Sequence, residues 1–179
     1  MFSGSRQYGK MEIISHICIA NSFQIEGKQY FKELSLIPIK DDNHNFHTSI
    51  QLPKFENISL KDQETINYCQ NVYHKIPFKT YTFDLNISTV QEILKSMIDR
   101  EKFKRPTTTP CTVGVKGDRH LAEMLNACGI KVLDLNTFGC MKVEMSNFKL
   151  VCPFHRDVHH EKCSLYKGIM YKKWVKQHQ

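Results

Sequence analysis

The stretch that most constrains this chain is residues 152–163, CPFHRDVHHEKC. Thiolate and imidazole are ligands that zinc prefers, and the C-x2-H pair brings Cys152 and His155 onto one turn. The intervening RDVHHEK is polar and can bend back, so that Cys163 joins from the start of a helix. A closed structural site needs a fourth ligand. His159 and His160 stand four and three residues before Cys163, one helical turn away, and either completes a self-contained site. The competing reading is chance, with surface histidines beside core cysteines.

The other cysteines decide the redox setting. All seven, at 18, 69, 111, 128, 140, 152 and 163, are scattered and odd in number, and Met1–Lys10 has no apolar signal-like run. Reduced thiols are expected rather than a disulfide framework. Cys18, Cys111 and Cys128 sit in apolar patterns and read as core. No apolar run approaches the roughly 18 residues of a membrane span. The expectation is an intracellular chain, in cytoplasm or nucleus, with a flexible segment at 1–10 and one domain over 11–176. A formal charge of +7 favours an anionic partner, although such a charge also serves solubility.

Residues 11–20, MEIISHICIA, read as a strand, Asn21–Lys28 as a turn, and 29–38 as a second strand. A third, His47–Leu52, completes an antiparallel meander. A short helix or irregular segment follows over 59–72 with Ser59 as cap, then extended chain from HKIPF at 74–78 to Phe83. The clearest helix is 88–103, with Ser88 and Gln91 at capping-box spacing and a stripe of Val90, Ile93, Leu94, Met97 and Ile98. Strands at 111–116 and 130–135 flank a helix capped by Asp118 and ended by Gly129, and a last helix is expected from about 157 to 175. The fold class is therefore α/β, a mixed sheet flanked by helices in the layout of a ribonuclease-H-like fold.

CPFHRDVHHEKCSLY resembles the C-terminal signature of the Maelstrom domain. HKIP at 74–77 and FKEL at 31–34 resemble two shorter motifs of that family. The outline is also similar to short ribonuclease-H-like proteins of insect genomes, some linked to mobile elements. The resemblance implies a Glu-Cys-His-Cys zinc site, carried over onto Glu33, Cys152, His155 and Cys163 as ligands of Zn2+. It requires the second strand to pass beneath the last helix. It also implies single-stranded RNA as partner, with small-RNA or transposon silencing as the setting and pathway proteins as further partners.

Ribonuclease-H-like exonucleases of the DEDD type hold two metal ions about 4 Å apart with several carboxylates. Strand one, ICIANSF, has no acidic residue; RHLAEML has Leu121 where the aspartate belongs, with Glu123 beyond it; and the position in the last helix falls near Cys163. Asp118, Asp134 and Glu123 read as cap, strand end and exposed helix residue. The expectation is a catalytically degenerate domain. The alternatives are a protein-binding adaptor on the same fold and an atypical RNA nuclease, in which Glu33 serves as general base beside a three-ligand zinc. Gly114 and Gly117 do not have phosphate-loop spacing. Two basic stretches, 100–105 and 167–176, supply the candidate RNA contacts Lys102, Lys104, Arg105, Lys167, Lys172 and Lys173. Tyr166, Met170 and Trp174 read as inward-packing.

Overall fold

Apolar alternation in the first two strands sets the architecture, because side chains on a strand point to opposite faces in turn. In the computed structural model, which describes residues 14–40, 44–105, 111–142, 152–155 and 161–179, β1 spans Ile14–Ile25 and β2 spans Lys28–Pro38. They pair antiparallel, with Asn21 opposite Glu33 and a register shift just after Asn21. The turn is shorter than expected: Glu26 and Gly27, both at positive φ (52° and 76°), form a two-residue hairpin connection, and β1 continues to Ile25. β3, Phe46–Ser49, pairs antiparallel with β2 and is shorter than the expected strand, because Ile50 bridges to Leu85 instead.

β4 (Thr112–Val115) lies parallel to β1, and β5 (Lys131–Asp134) parallel to β4. The sheet order is β3-β2-β1-β4-β5. Three antiparallel strands followed by two parallel ones is the ribonuclease-H-like arrangement.

Helices cover both faces. α1 is Leu60–Tyr68, α2 Ile87–Lys104, α3 Arg119–Ala127 and α4 Ser164–His178. Cys18, Leu34, Leu36 and Val113 face α2 and α3 through Val90, Leu94, Ile98, Leu121 and Leu125. The alternate residues Ile17, Ile19, Ile37 and Ile39 face Tyr171 and Val175 of α4. Each such buried aliphatic side chain contributes about 1.5–3 kcal/mol relative to exposure. α4 approaches β2 closely: a Cβ on Gly168 would fall 2.6 Å from Cγ1 of Ile37. At the hairpin end, Phe23, Ile25, Leu52 and Ile66 form a smaller core beneath α1.

Caps explain the helix boundaries. Asp118 accepts from Leu121 N–H as expected, and Gly129 has φ 78° after α3. α2 starts earlier than the capping-box spacing suggested, because Asn86 is the N-cap and accepts from Ser88 N–H at 2.9 Å. α4 starts at Ser164 rather than near 157; residues 156–160, and with them His159 and His160, lie outside the described residues. So does the segment expected to be flexible at 1–10. No helix among the described residues is long and apolar enough to cross a membrane.

Candidate metal centre

Strand parity puts Glu33 and Ser35 on the same face as Ile37, beneath α4, where Ser35 and Ser164 share a hydrogen bond of 2.7 Å between hydroxyls. Glu33, Cys152, His155 and Cys163 are all buried, and one ligand atom from each lies within 4.8 Å of the others. The segment 152–155 supplies Cys152 and His155, and Cys163 is the N-cap residue of α4.

Glu33 is fully buried, and its two oxygens have separate tasks. Oε1 accepts from Asn21 Nδ2 at 2.7 Å and from the Ser164 backbone N–H at 2.9 Å, so the carboxylate also caps α4 and meets the positive end of its dipole. Asn21 is itself anchored by donating to Lys162 O at 2.6 Å. Oε2 faces the cluster: His155 Nε2 is at 2.9 Å, Cys152 Sγ at 3.5 Å and Cys163 Sγ at 3.8 Å. Zinc bonds of about 2.0–2.3 Å in a tetrahedron put neighbouring ligand atoms roughly 3.3–3.8 Å apart, and the cluster is already near that size.

His155 is oriented by the backbone. Its Nδ1–H donates to the carbonyl of His74, which leaves Nε2 directed at Glu33 and the thiols. A ligating histidine is held this way when its second nitrogen is tied to a carbonyl or carboxylate. That carbonyl is presented by an irregular turn: Cys69–Tyr73 is a π-turn after α1, closed by His74 N–H to Cys69 O at 3.1 Å, and Lys75 follows at φ 57°. The His74 ring is buried and fixed, with Nε2–H donating to Ser22 O at 3.2 Å and Nδ1 accepting from Ile76 N–H at 3.1 Å. HKIP is thus a support for His155.

The charges fit a cation. Burial alone would raise the Glu33 carboxyl, but hydrogen bonds from His155 and His47 hold it well below the ordinary range. Burial pulls His155 down, yet Cys163 and Glu33 together raise it to about 10. A hydrogen bond from Cys152 brings the Cys163 thiol down to about 5. An imidazolium proton therefore sits among a carboxylate and a thiolate. Two sulfurs, one imidazole nitrogen and one carboxylate oxygen make a donor set suited to a divalent soft-to-borderline metal such as zinc.

Sequence reasoning missed His47 and Asn21. His47 Nε2–H donates to Glu33 Oε2 at 2.9 Å and lies 3.8 Å from Cys152 Sγ. With Ser49 opposite Glu33, His47 is the diagonal neighbour on the same face, a relation visible only once the β2–β3 register is known. Phe154 packs on His47 (4.8 Å between centroids) and stacks with Phe83, which stacks on Tyr81.

The candidate RNA contacts do not form one surface. Lys102 and Lys104 are exposed at the end of α2, and Arg105 there pairs with Glu101 at 3.0 Å. Lys167, Lys172 and Lys173 lie on α4, across the sheet. Lys173 is exposed and Lys167 half-buried. Lys172 is only 6% exposed, on the same helical surface as Tyr171 and Val175, and contrary to expectation does not present a surface contact. Tyr166 is buried, whereas Met170 and Trp174 are half-buried.

A cleft of about 400 Å³ opens beside the metal cluster, sharing Asn21 with it. It is lined by Cys18, Ile19 and Ala20 of β1 and by Lys116, Asp118, Arg119, His120, Lys167 and Tyr73. Burial and the nearby Lys162 and Lys142 lower Lys167 from its ordinary pKa. Among the described residues, Asp118 is the one carboxylate residue in the lining.

No family model and no curated protein matches the sequence. Among solved structures, the chain is similar to the 3'-exonuclease solved for 3'-end specific recognition of histone mRNA stem-loop, at 14% identity and a TM-score of 0.44. That match covers 92% of this chain and 64% of the other, so this chain spans just under two thirds of that protein. It is also similar to the nuclease domain of 3'hExo, a DEDDh family member, bound to rAMP, at 13% identity and a TM-score of 0.40, over 91% of each chain.

Proposed function

We propose that this chain is a zinc-stabilised ribonuclease-H-like domain that binds single-stranded RNA and leaves it intact. The observation that carries the reading is the division between two neighbouring sites. The buried cluster offers four ligands and matches a closed structural site, which has no open position for water. The cleft beside the middle of β1, where two-metal hydrolysis would need several converging carboxylates, presents Asp118 among Lys116, Arg119, His120 and Lys167. Zinc would be held by Glu33, Cys152, His155 and Cys163 and would supply a tie between β2 and α4. The basic cleft and the exposed Lys102, Lys104 and Lys173 favour phosphates, in keeping with the charge of +7. A role in small-RNA or transposon silencing, in cytoplasm or nucleus, rests on the Maelstrom resemblance of residues 152–166.

The test combines metal analysis with RNA binding over a salt series. One zinc per chain is expected, lost together with folding in Cys152→Ser or Cys163→Ser, since ligands from distant elements couple metal binding to folding. Single-stranded RNA should bind with a steep salt slope and remain uncut in magnesium or manganese. Native protein without metal, or cleavage abolished by Glu33→Ala or Glu123→Ala, refutes the reading. A second reading, a protein-binding adaptor, is favoured by the exposed apolar residues Leu60, Tyr68, Val72 and Tyr73 along α1 and its π-turn, and becomes the better one if RNA does not bind at moderate salt.

A further inference from the structure

The cleft beside the metal cluster gathers cations from three separate elements: Lys116 just after β4, Arg119 at the start of α3 and Lys167 on α4. We propose that this cleft binds the phosphomonoester of a nucleotide, at the end of an RNA strand, directly through Lys116, Arg119 and Lys167 and without a divalent ion. The inference rests on the RNA-binding reading and gives it a specific site.

Charge supports it first. Among the described residues, three basic side chains and His120 line the cleft against one carboxylate, and Asp118 Oδ1 is already committed to Leu121 N–H at 3.0 Å. A lining with excess positive charge suits a dianionic phosphomonoester better than a singly charged phosphodiester. The cations also have partners they can exchange. Arg119 pairs with Glu123 on an exposed helix face, with side chains 88% and 58% accessible, and pairs of that kind are worth about 0–1 kcal/mol. Lys116 donates to the neutral amide oxygen of Asn136. Lys32, by contrast, is buried against Asp84 and two carbonyls and has no such latitude.

Size and floor then narrow the ligand. About 400 Å³ exceeds what a phosphate alone fills and falls in the usual range of about 300–1,000 Å³ for small-ligand pockets. The half-buried Ala20 and the exposed Tyr73 in the same lining offer apolar and aromatic surface for a sugar or base. An acidic peptide would use the cations and leave that surface unfilled.

Fluorescence anisotropy on the zinc-loaded full chain, without magnesium, tests the proposal. The probes are short RNAs of one sequence bearing a 3'-phosphate, a 5'-phosphate or hydroxyls at both ends, with a nucleoside monophosphate as competitor. One phosphorylated end should bind at least ~10-fold more tightly than the hydroxyl-ended RNA, the scale of a charge-assisted hydrogen bond. Lys116→Gln combined with Arg119→Gln should abolish that advantage at unchanged zinc content and melting temperature; if the pair fails to fold, exposed Arg119→Gln alone should reduce it. Equal binding of all three RNAs overturns the proposal while leaving the RNA reading intact. So does an end preference that survives in the variants, or competition by an acidic peptide as effective as the nucleotide. If no RNA binds, the RNA reading falls, and nucleoside monophosphate binding that is lost in the variants is then what upholds the cleft; its absence overturns both.

Discussion

Lys32→Met is expected to destabilise the domain by about 3–5 kcal/mol, the cost of leaving one member of a buried ion pair alone. Lys32 lies in β2 on the face opposite Glu33, and its side chain and that of Asp84 are both at 0% accessibility. All three ammonium hydrogens have acceptors, Asp84 Oδ2 at 2.6 Å, Lys79 O at 2.7 Å and Ile50 O at 3.3 Å. Asp84 is equally committed, taking Tyr81 N–H at 2.8 Å and the Ser49 hydroxyl. Without Lys32 the carboxylate keeps those two donors but no countercharge, and the 79–85 segment loses its hold on β2. That segment carries Tyr81 and Phe83, which stack toward Phe154 beside Cys152. At about 2–4 °C per kcal/mol for a chain of this size, the melting temperature should fall by roughly 6–20 °C. Urea titrations of zinc-loaded Lys32→Met, Asp84→Asn and the double variant provide the assay. The double variant should be much less destabilised than the sum of the singles, with a coupling of about 2 kcal/mol or more. A loss below about 1 kcal/mol in either single variant, or simple additivity, refutes the account of this network.

Asn21→Ala removes one of the two donors to Glu33 Oε1 and should weaken metal binding by about 10–100-fold without changing the metal-to-protein ratio at saturation, measured by competition with a chromogenic chelator. Gly168→Val should cost about 1–3 kcal/mol by forcing α4 off Ile37, and Ile37→Ala should recover part of that loss; urea midpoints of the three proteins decide it. Burial lowers His16 from 6.5 to about 4, with Glu101 opposing and Arg105 reinforcing the shift. The unfolded chain then takes up the extra proton, so His16 stabilises fully above pH 6.5 and loses about 3 kcal/mol as pH falls toward 4; in His16→Gln the unfolding free energy should decline less over that window than in the parent.

What the sequence reveals and conceals follows from how far each feature depends on distant chain. Val90, Leu94 and Ile98 are buried as their helical spacing demands, and Asp118 and Gly129 act at the ends of α3 where local chemistry puts them. Cys152, His155 and Cys163 are conspicuous because their residue types are rare together. Glu33 is a single carboxylate in a strand, and only the family resemblance singled it out. His47 needs the β2–β3 register, and His74 acts through its carbonyl, which has no side-chain signature. Ser88 and Asn86 are both good caps, so composition cannot choose between them. Lys172 misled because α4 buries a broad face against the sheet, and a lysine stem can lie along it. The cleft draws its lining from β1, α3 and α4 and the residues flanking them, and no local pattern announces such a convergence.

The spread of the ligands along the chain has a consequence for biosynthesis. Glu33 and Cys163 are separated by 130 positions, and α4 comes last among the described elements. At about 5–20 residues per second, a ribosome takes on the order of ten seconds to make the chain between them. Throughout that interval Glu33 has Asn21 as an early neighbour, while Ile17, Ile37 and Ile39 lack the helix that will cover them. The half-made domain therefore leaves this apolar face of the sheet uncovered until α4 has been made. On the zinc site proposed above, a shortage of metal would first be felt by chains leaving the ribosome, well before it stripped those already folded.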